Sequence, residues 1–323
     1  MKHMTRLSLL LFLTALLLTR CGAPQPPIKI GISAWPGVEP AELAARKGFY
    51  AQRGVPVAMT RFSVYTDSIE AFRDGKVDID MQTLDDALRL FATGRKMHVV
   101  LFTDSSYGGD GIVARAGIRS VADLKGKRVG VETGTVGHFS LLKALEKVGL
   151  KEDDIAIVSI PALRIREAFL AGKIDAGVTW EPYLTNSAKE SGGNIITTSR
   201  DYPRTIVTTM VVDDGLIARR GDDVQKVVAA YFDAVQFMYD HPDEAQARMA
   251  DAEGISAAEF ASQAQGLRYI DLAGNQRAFG SAHDGELYAL GDELAAFLHT
   301  RGVTKTKPDI TGLLDGDFVN QLK

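Results

Sequence analysis

One phrase occurs twice in the chain, ninety-seven positions apart, as Glu70-Ala71-Phe72-Arg73-Asp74-Gly75-Lys76-Val77-Asp78 and Glu167-Ala168-Phe169-Leu170-Ala171-Gly172-Lys173-Ile174-Asp175. Upstream of each copy a short apolar run ends in a glycine triplet, Gly31-Ile32-Ser33 and Gly130-Val131-Glu132, before a helical stretch. Two similar units predict two similar lobes, and two lobes side by side enclose a cleft. The chain has 323 residues, 46% of them hydrophobic, which is enough apolar material for two cores. Helical and strand patterns alternate along most of it, so the expected class is α/β, two similar lobes with a ligand cleft at a hinge crossed twice by the chain. A formal charge of −4 gives no general electrostatic reason to bind nucleic acid.

The amino-terminal end has a different logic. Lys2 and Arg6 precede Leu7–Leu18, an apolar run too short to span a bilayer as a helix, which needs about 20 residues. A basic start followed by a short apolar core is an export signal, expected over residues 1–21. The single cysteine, Cys21, follows directly and is the expected lipidation site, with Arg20 departing from the small residue usual before such a cysteine. Residues 22–27, rich in proline, make a stiff tether. The mature chain is therefore expected in the periplasm or on the outer face of the cytoplasmic membrane, lipid-anchored, without an internal disulfide.

Periodicity then sets out the lobes. Strands are expected at 28–32, 55–62, 77–81, 99–102, 128–131, 155–160, 174–179 and 205–212, with helices between. Pro40 and Gly48 bracket one helix, Ser63 or Thr66 caps the next, and Ser256 with Glu259 forms a capping box. The tail beyond 212 is helical and lacks the repeated phrase. It is expected to return to the first lobe, giving 28–112 plus 213–323 as lobe 1 and 113–212 as lobe 2. Crossings near 104–113 and 208–214 favour a hinge.

In such lobes ligands sit beyond the carboxyl ends of the strands. That rule selects Ser33 and Trp35 after the first strand, Tyr65 and Asp67 after the second, and Thr83 and Asp85 after the third. It also selects Asp104, Ser105 and Asp110 at the first crossing, and Thr133, Thr135, His138, Trp180 and Glu181 in the second lobe. The repeat makes Thr83 and Trp180 equivalent positions. The helix start near Gly137, with Thr133 and Thr135, either holds an oxyanion or is simply a capped helix end. The tryptophans beside so many carboxylates equally suit a small cation, while Asp67, Asp104 and Asp110 each have a local alternative as cap, backbone pin or turn residue. Arg89, one turn beyond Asp85, is expected to pair with it.

Other chemistries lack their residues. The six histidines have no metal-ligand spacing, so no metal and no cofactor is expected. No nucleophile elbow or Walker loop is present, and Gly109-x-Gly111-x-x-Ala114 leads into β-like Ile112-Val113 instead of a helix, against a dinucleotide site.

Several motifs taken together resemble substrate-binding proteins of ABC importers, of type II periplasmic binding architecture, in the nitrate/sulfonate/taurine and thiamine-precursor group. They are Trp35-Pro36-Gly37 with Glu42-Leu43-Ala44 and Gly48-Phe49-Tyr50, Asp104-Ser105-Ser106 with Asp110-Gly111-Ile112-Val113-Ala114, Val121 to Lys127, Gly134-Thr135, and Ala168-Phe169 through Ala176 to Trp180-Glu181-Pro182. The resemblance runs from about residue 28 to about 240. It implies lobes that close on one small polar solute and deliver it to a permease driven by an ATPase. A related branch is enzymatic and resembles a cysteine-rich iron site, which the lone Cys21 does not match, and with no acid–base or nucleophile constellation in the sequence no enzymatic step is expected. The resemblance implies sulfonate recognition by loop amides and the hydroxyls of Ser33, Thr83, Thr133 and Thr135. The stretch from Asp104 to Val113 also resembles members linked to urea or guanidine, which keeps a cationic or urea-like solute open. A ligand-reading sensor subunit is the remaining alternative.

Overall fold

The structure is a computed structural model describing residues 25–282 and 284–323. The export signal, Cys21 and the first residues of the tether lie outside them.

In chain order the first strands and helices are β1 (Ile28–Ser33), α1 (Glu39–Arg46), α2 (Phe49–Gln52), β2 (Val57–Phe62), α3 (Tyr65–Arg73), β3 (Ile79–Thr83), α4 (Leu84–Ala92) and β4 (Met97–Ser106). Then come β5 (Asp110–Ala114), β6 (Arg128–Val131), α5 (Val136–Lys147), β7 (Ala156–Ser159), α6 (Ile165–Leu170), β8 (Ala176–Trp180), α7 (Tyr183–Ser191) and β9 (Asn194–Thr198). The last part holds β10 (Val207–Asp213), α8 (Asp214–Asp240), α9 (Pro242–Glu253), α10 (Ala257–Ala264), β11 (Leu267–Tyr269), α11 (Leu272–Phe279), α12 (Glu286–Thr300), α13 (Ile310–Leu313) and α14 (Asp317–Asn320).

Two mixed sheets result, ordered β11-β4-β10-β3-β1-β2 and β7-β6-β8-β5-β9. The repeat is visible in them. β2-β1-β3 and β7-β6-β8 are parallel triplets of the same order, and each takes an antiparallel fourth strand, β10 beside β3 and β5 beside β8. Each fourth strand is the one the chain builds just after crossing from the other sheet.

The boundaries expected at 112–113 and 212–213 are displaced. β5 begins the second sheet at Asp110, and β10 already belongs to the first sheet at Val207, bonded to β3 and β4. The crossings therefore occupy 107–109 and 199–206. The apolar run at 205–212 fixed the strand but not its sheet, because an apolar strand satisfies either core equally well.

One core joins β1, β3, β4 and β10 to the tail helices, from Ile30, Met81 and Leu101 to Tyr231, Phe279 and Leu298. Two smaller cores, around Ile112, Val129 and Leu141 and around Val113, Phe169 and Leu184, cover the faces of the second sheet.

Local signals explain most ends. Pro40 lies in the first turn of α1, Ser256 and Glu259 form the capping box of α10, and Pro242 opens α9 at the point where α8 stops. The start of α3 differs from expectation. Val64 is the cap residue and no side chain bonds the helix end, so neither Ser63 nor Thr66 supplies the cap. Strands β9 and β11 and helix α9 were not anticipated. Both strands are short, and the helix begins at a proline that reads as a stop.

Candidate functional site

At the edge of the first sheet nearest the crossings, four strands place one residue each in a row. Thr83 of β3 lies opposite Thr208 of β10, Thr208 opposite Asp104 of β4, and Asp104 opposite Tyr269 of β11. Directly opposed residues of antiparallel strands share a face. The β4–β10 register shifts between Thr208 and Thr209, so β4 carries a bulge here, a device that re-aims side chains at sheet edges. Trp35 Nε1 donates to Asp104 at 3.0 Å and Thr103 Oγ1 donates to its other oxygen at 2.8 Å. Tyr269 donates to the Pro36 carbonyl at 2.8 Å, tying the Trp35 turn to the row. Gly37 is required there, since a Cβ on it would lie 2.1 Å from Asp104 Oδ2.

The second sheet answers with Asp110 opposite Trp180, at the end where β5 starts and β8 finishes. Ser106 and Ser199 brace this corner. Their hydroxyls lie 2.8 Å apart, Asp110 N–H donates to Ser106 at 3.2 Å, and Gly108 N–H donates to Ser199 at 2.6 Å. The Trp35 ring reaches the same corner, its tip 3.0 Å from where a Gly109 Cβ would be. Trp180 stacks edge-on to Tyr183, with centroids 6.2 Å apart.

The charge balance of this corner is acidic. Burial pushes Asp104 up to about 6 against its hydrogen bonds from Trp35, Thr103 and Thr208. Burial pushes Asp110 up to about 7, with the charges of Asp104 and Glu181 adding to the shift. Among the described residues no lysine or arginine forms an ion pair with either carboxylate. Tyr202 is nearly buried, and burial, then the charge of Asp110, raises its phenol pKa.

The other expected residues have different settings. Asp85, 1% exposed, accepts from Val136 N–H at 2.9 Å and so caps α5 from the opposite sheet. Burial, then the neighbouring Asp86, pushes it up to about 7. Arg89 pairs with Asp86 at 3.0 Å, and not with Asp85 as expected, since Asp85 turns inward. Tyr65 donates to Asp86 at 2.9 Å and accepts from Thr83 N–H at 2.9 Å, which commits it to the start of α4. Glu181 accepts from Thr185 N–H at 3.2 Å and from its hydroxyl, holding the first turn of α7. Thr133 is exposed and bonded to Ser159, and Thr135 donates to the Glu132 carbonyl.

His138 is buried. It accepts from Gly134 N–H at 3.2 Å and packs on Phe297 of α12, turned toward the tail helices, and burial lowers its pKa. Asp67 is exposed in the first turn of α3, Ser105 alternates to the face opposite Asp104, and Ser33 is buried at the end of β1. The structure thus brings together Trp35, Thr83, Asp104, Asp110 and Trp180. Sequence reasoning missed Thr208, Tyr269, Ser199 and Tyr202; Ser106 it placed with Asp104 and Ser105 on the first crossing.

Away from this corner, a concavity of about 470 Å³ on the outer side lies between α2 and α8, lined by Phe49, Arg53, Asp233, Phe237 and His241. No group of metal-binding side chains occurs among the described residues, and no helix among them is long and apolar enough to cross a membrane.

A family model described as NMT1/THI5 like matches residues 35–245. The taurine-binding periplasmic protein of Escherichia coli is 24% identical over 75% of this chain and 78% of its own. Among solved structures, the periplasmic aliphatic sulphonate binding protein of Escherichia coli superposes with a TM-score of 0.72 at 21% identity, over 89% of this chain and 97% of its own. A desulfurization enzyme shares the fold, with a TM-score of 0.65 at 19% identity, over 91% of this chain and 98% of its own.

Proposed function

Because the chain belongs to the NMT1/THI5-like family, we propose that it is the extracytoplasmic solute-binding component of an ABC importer, taking one small polar solute between its lobes. The carrying observation is the pairing of Trp35 with Asp104 on one sheet and of Asp110 with Trp180 on the other, at the corner where the chain crosses. Closure around a solute there lets each lobe supply an aromatic wall and a carboxylate. A permease and its ATPase are the partners this role needs. Export, with anchoring through Cys21, places the protein in the periplasm or on the outer face of the cytoplasmic membrane.

Relatives bring one solute class and the geometry brings another. Sulfonate-, nitrate- and taurine-like solutes follow from the relatives. Of these, taurine suits the corner best, because it has an ammonium end to meet the carboxylates of Asp104 and Asp110. The second reading, a cationic or urea- or guanidine-like solute, is favoured by the lack of any basic partner for Asp104 and Asp110 among the described residues. Cation–π attraction to the two indoles would add about 0.5–2 kcal/mol. A catalytic role is not proposed, because the relative matched over most of the chain is a binding protein.

A thermal-shift panel of taurine, ethanesulfonate, nitrate, guanidinium, urea and small amines tests the reading. A true solute at a hundred times its Kd adds about 2.7 kcal/mol of stability. A panel in which no small polar solute stabilises the protein refutes the assignment.

A further inference from the structure

The start of α5 is the helix end that the sequence offers either as an oxyanion site or as a capped end, and in the structure a carboxylate of the protein already fills it. Thr135, the cap residue of α5, makes no side-chain cap; its hydroxyl is turned to the Glu132 carbonyl. Asp85 of α4 reaches across instead and accepts from Val136 N–H at 2.9 Å. It is 1% exposed, and its second oxygen has no hydrogen-bond partner. α5 runs for twelve residues, so its amino end carries a full share of positive dipole. Gly137, in the first turn, lies against Val178, two residues before Trp180 on the same face of β8, which sets this helix end beside the proposed solute corner.

We propose that Asp85 is a specificity-determining residue that closes the amino end of α5 to oxyanions, so that the second lobe meets the solute through Asp110 and Trp180. This rests on the solute-binding reading only in placing the α5 end at the cleft. A sulfate or sulfonate would have to displace the carboxyl group or lie against it, and above about pH 7, where Asp85 is ionised, two anions at one buried helix end repel strongly. The neighbours sharpen the exclusion. Asp86 and Glu132 are also acidic, and the nearby guanidinium, Arg89, is engaged with Asp86.

The test uses ethanesulfonate and inorganic sulfate as probes, with chloride at equal ionic strength as control, and reads binding by calorimetry on the full chain. Asp85→Ala, which frees the space, should bind both probes at least about tenfold more tightly than the unmodified protein. Asp85→Asn, which removes the charge and keeps the shape, should gain less, and Asp85→Glu should gain nothing. Variants that bind the probes no tighter overturn the proposal. Should the variants not fold, the Val136 amide resonance of the unmodified chain decides: no change on adding sulfate is expected, and a saturable shift overturns the idea. A protein that binds no solute of the panel would sink the importer reading yet leave this probe experiment interpretable.

Discussion

Asp104 is held by hydrogen bonds from Trp35, Thr103 and Thr208 and still resists ionisation, because it is fully buried and no cation among the described residues balances it. Its setting ties ligand charge to pH. A cation needs Asp104 and Asp110 ionised, so its affinity should rise from pH 5.5 to pH 7.5, across the raised values of about 6 and about 7; calorimetry at the two pH values would expose a flat or falling trend, which a neutral or anionic solute would give. Trp180→Ala should weaken the bound solute at least about tenfold by removing a stacking wall. Trp35→Ala should do as much and also leave Asp104 without the Nε1 donor; unchanged affinity in both variants would remove the corner as the site.

At the scale of elements, the turn after β1 and the bulge in β4 work as a pair. The bulge aims Asp104, and the turn brings Trp35 and the Pro36 carbonyl over it. Gly37 makes the approach possible. Gly37→Ala forces a Cβ to 2.1 Å from Asp104 Oδ2 and 2.5 Å from Trp35 Nε1. That overpacking should cost about 1–3 kcal/mol and lower the melting temperature, with solute binding lost more completely than stability. A variant with unaltered Tm and affinity would mean that the turn moves freely.

Across the whole molecule the two sheets are joined by more than the crossings. α5 of the second lobe lies against the tail helices of the first. Phe139 packs on Phe297 with centroids 5.2 Å apart, Lys143 pairs with Glu293, Glu152 pairs with Arg301, and Gly134 abuts Val303. Phe297→Ala should loosen this side, raising the radius of gyration of the unliganded protein in X-ray scattering and speeding solute release about two- to tenfold.

The buried acids act on the molecule as a set. Asp80, Asp85 and Asp110 are raised to about 7, Asp104 to about 6 and Glu39 to about 8. A carboxyl with a raised pKa holds its proton more tightly folded than unfolded, so its contribution is full below the unfolded value near 4 and is lost as pH rises through the folded value. Denaturant unfolding should therefore show the unliganded chain less stable at pH 8 than at pH 5, by on the order of a few kcal/mol. Asp175, held near 2 by Arg128, acts oppositely and only below about pH 4.

Sequence alone determined the doubled architecture, most strand positions and the solute-cleft class, because these follow from signals that travel with a few neighbouring residues: alternation, helix period, prolines, glycines and a repeated phrase. It also put Trp35, Asp104, Asp110 and Trp180 among the candidates, from their places beside strand ends and on the first crossing, and these four meet at one corner of the structure. It did not separate Asp104, facing the row, from Ser105, facing away, nor see that Thr208 completes that row from a strand assigned to the other lobe. The partner of Asp85 was equally hidden, since Val136 lies 51 positions away. Such contacts depend on how two rigid units settle against each other and on a one-residue bulge in register, and only the tertiary structure decides these.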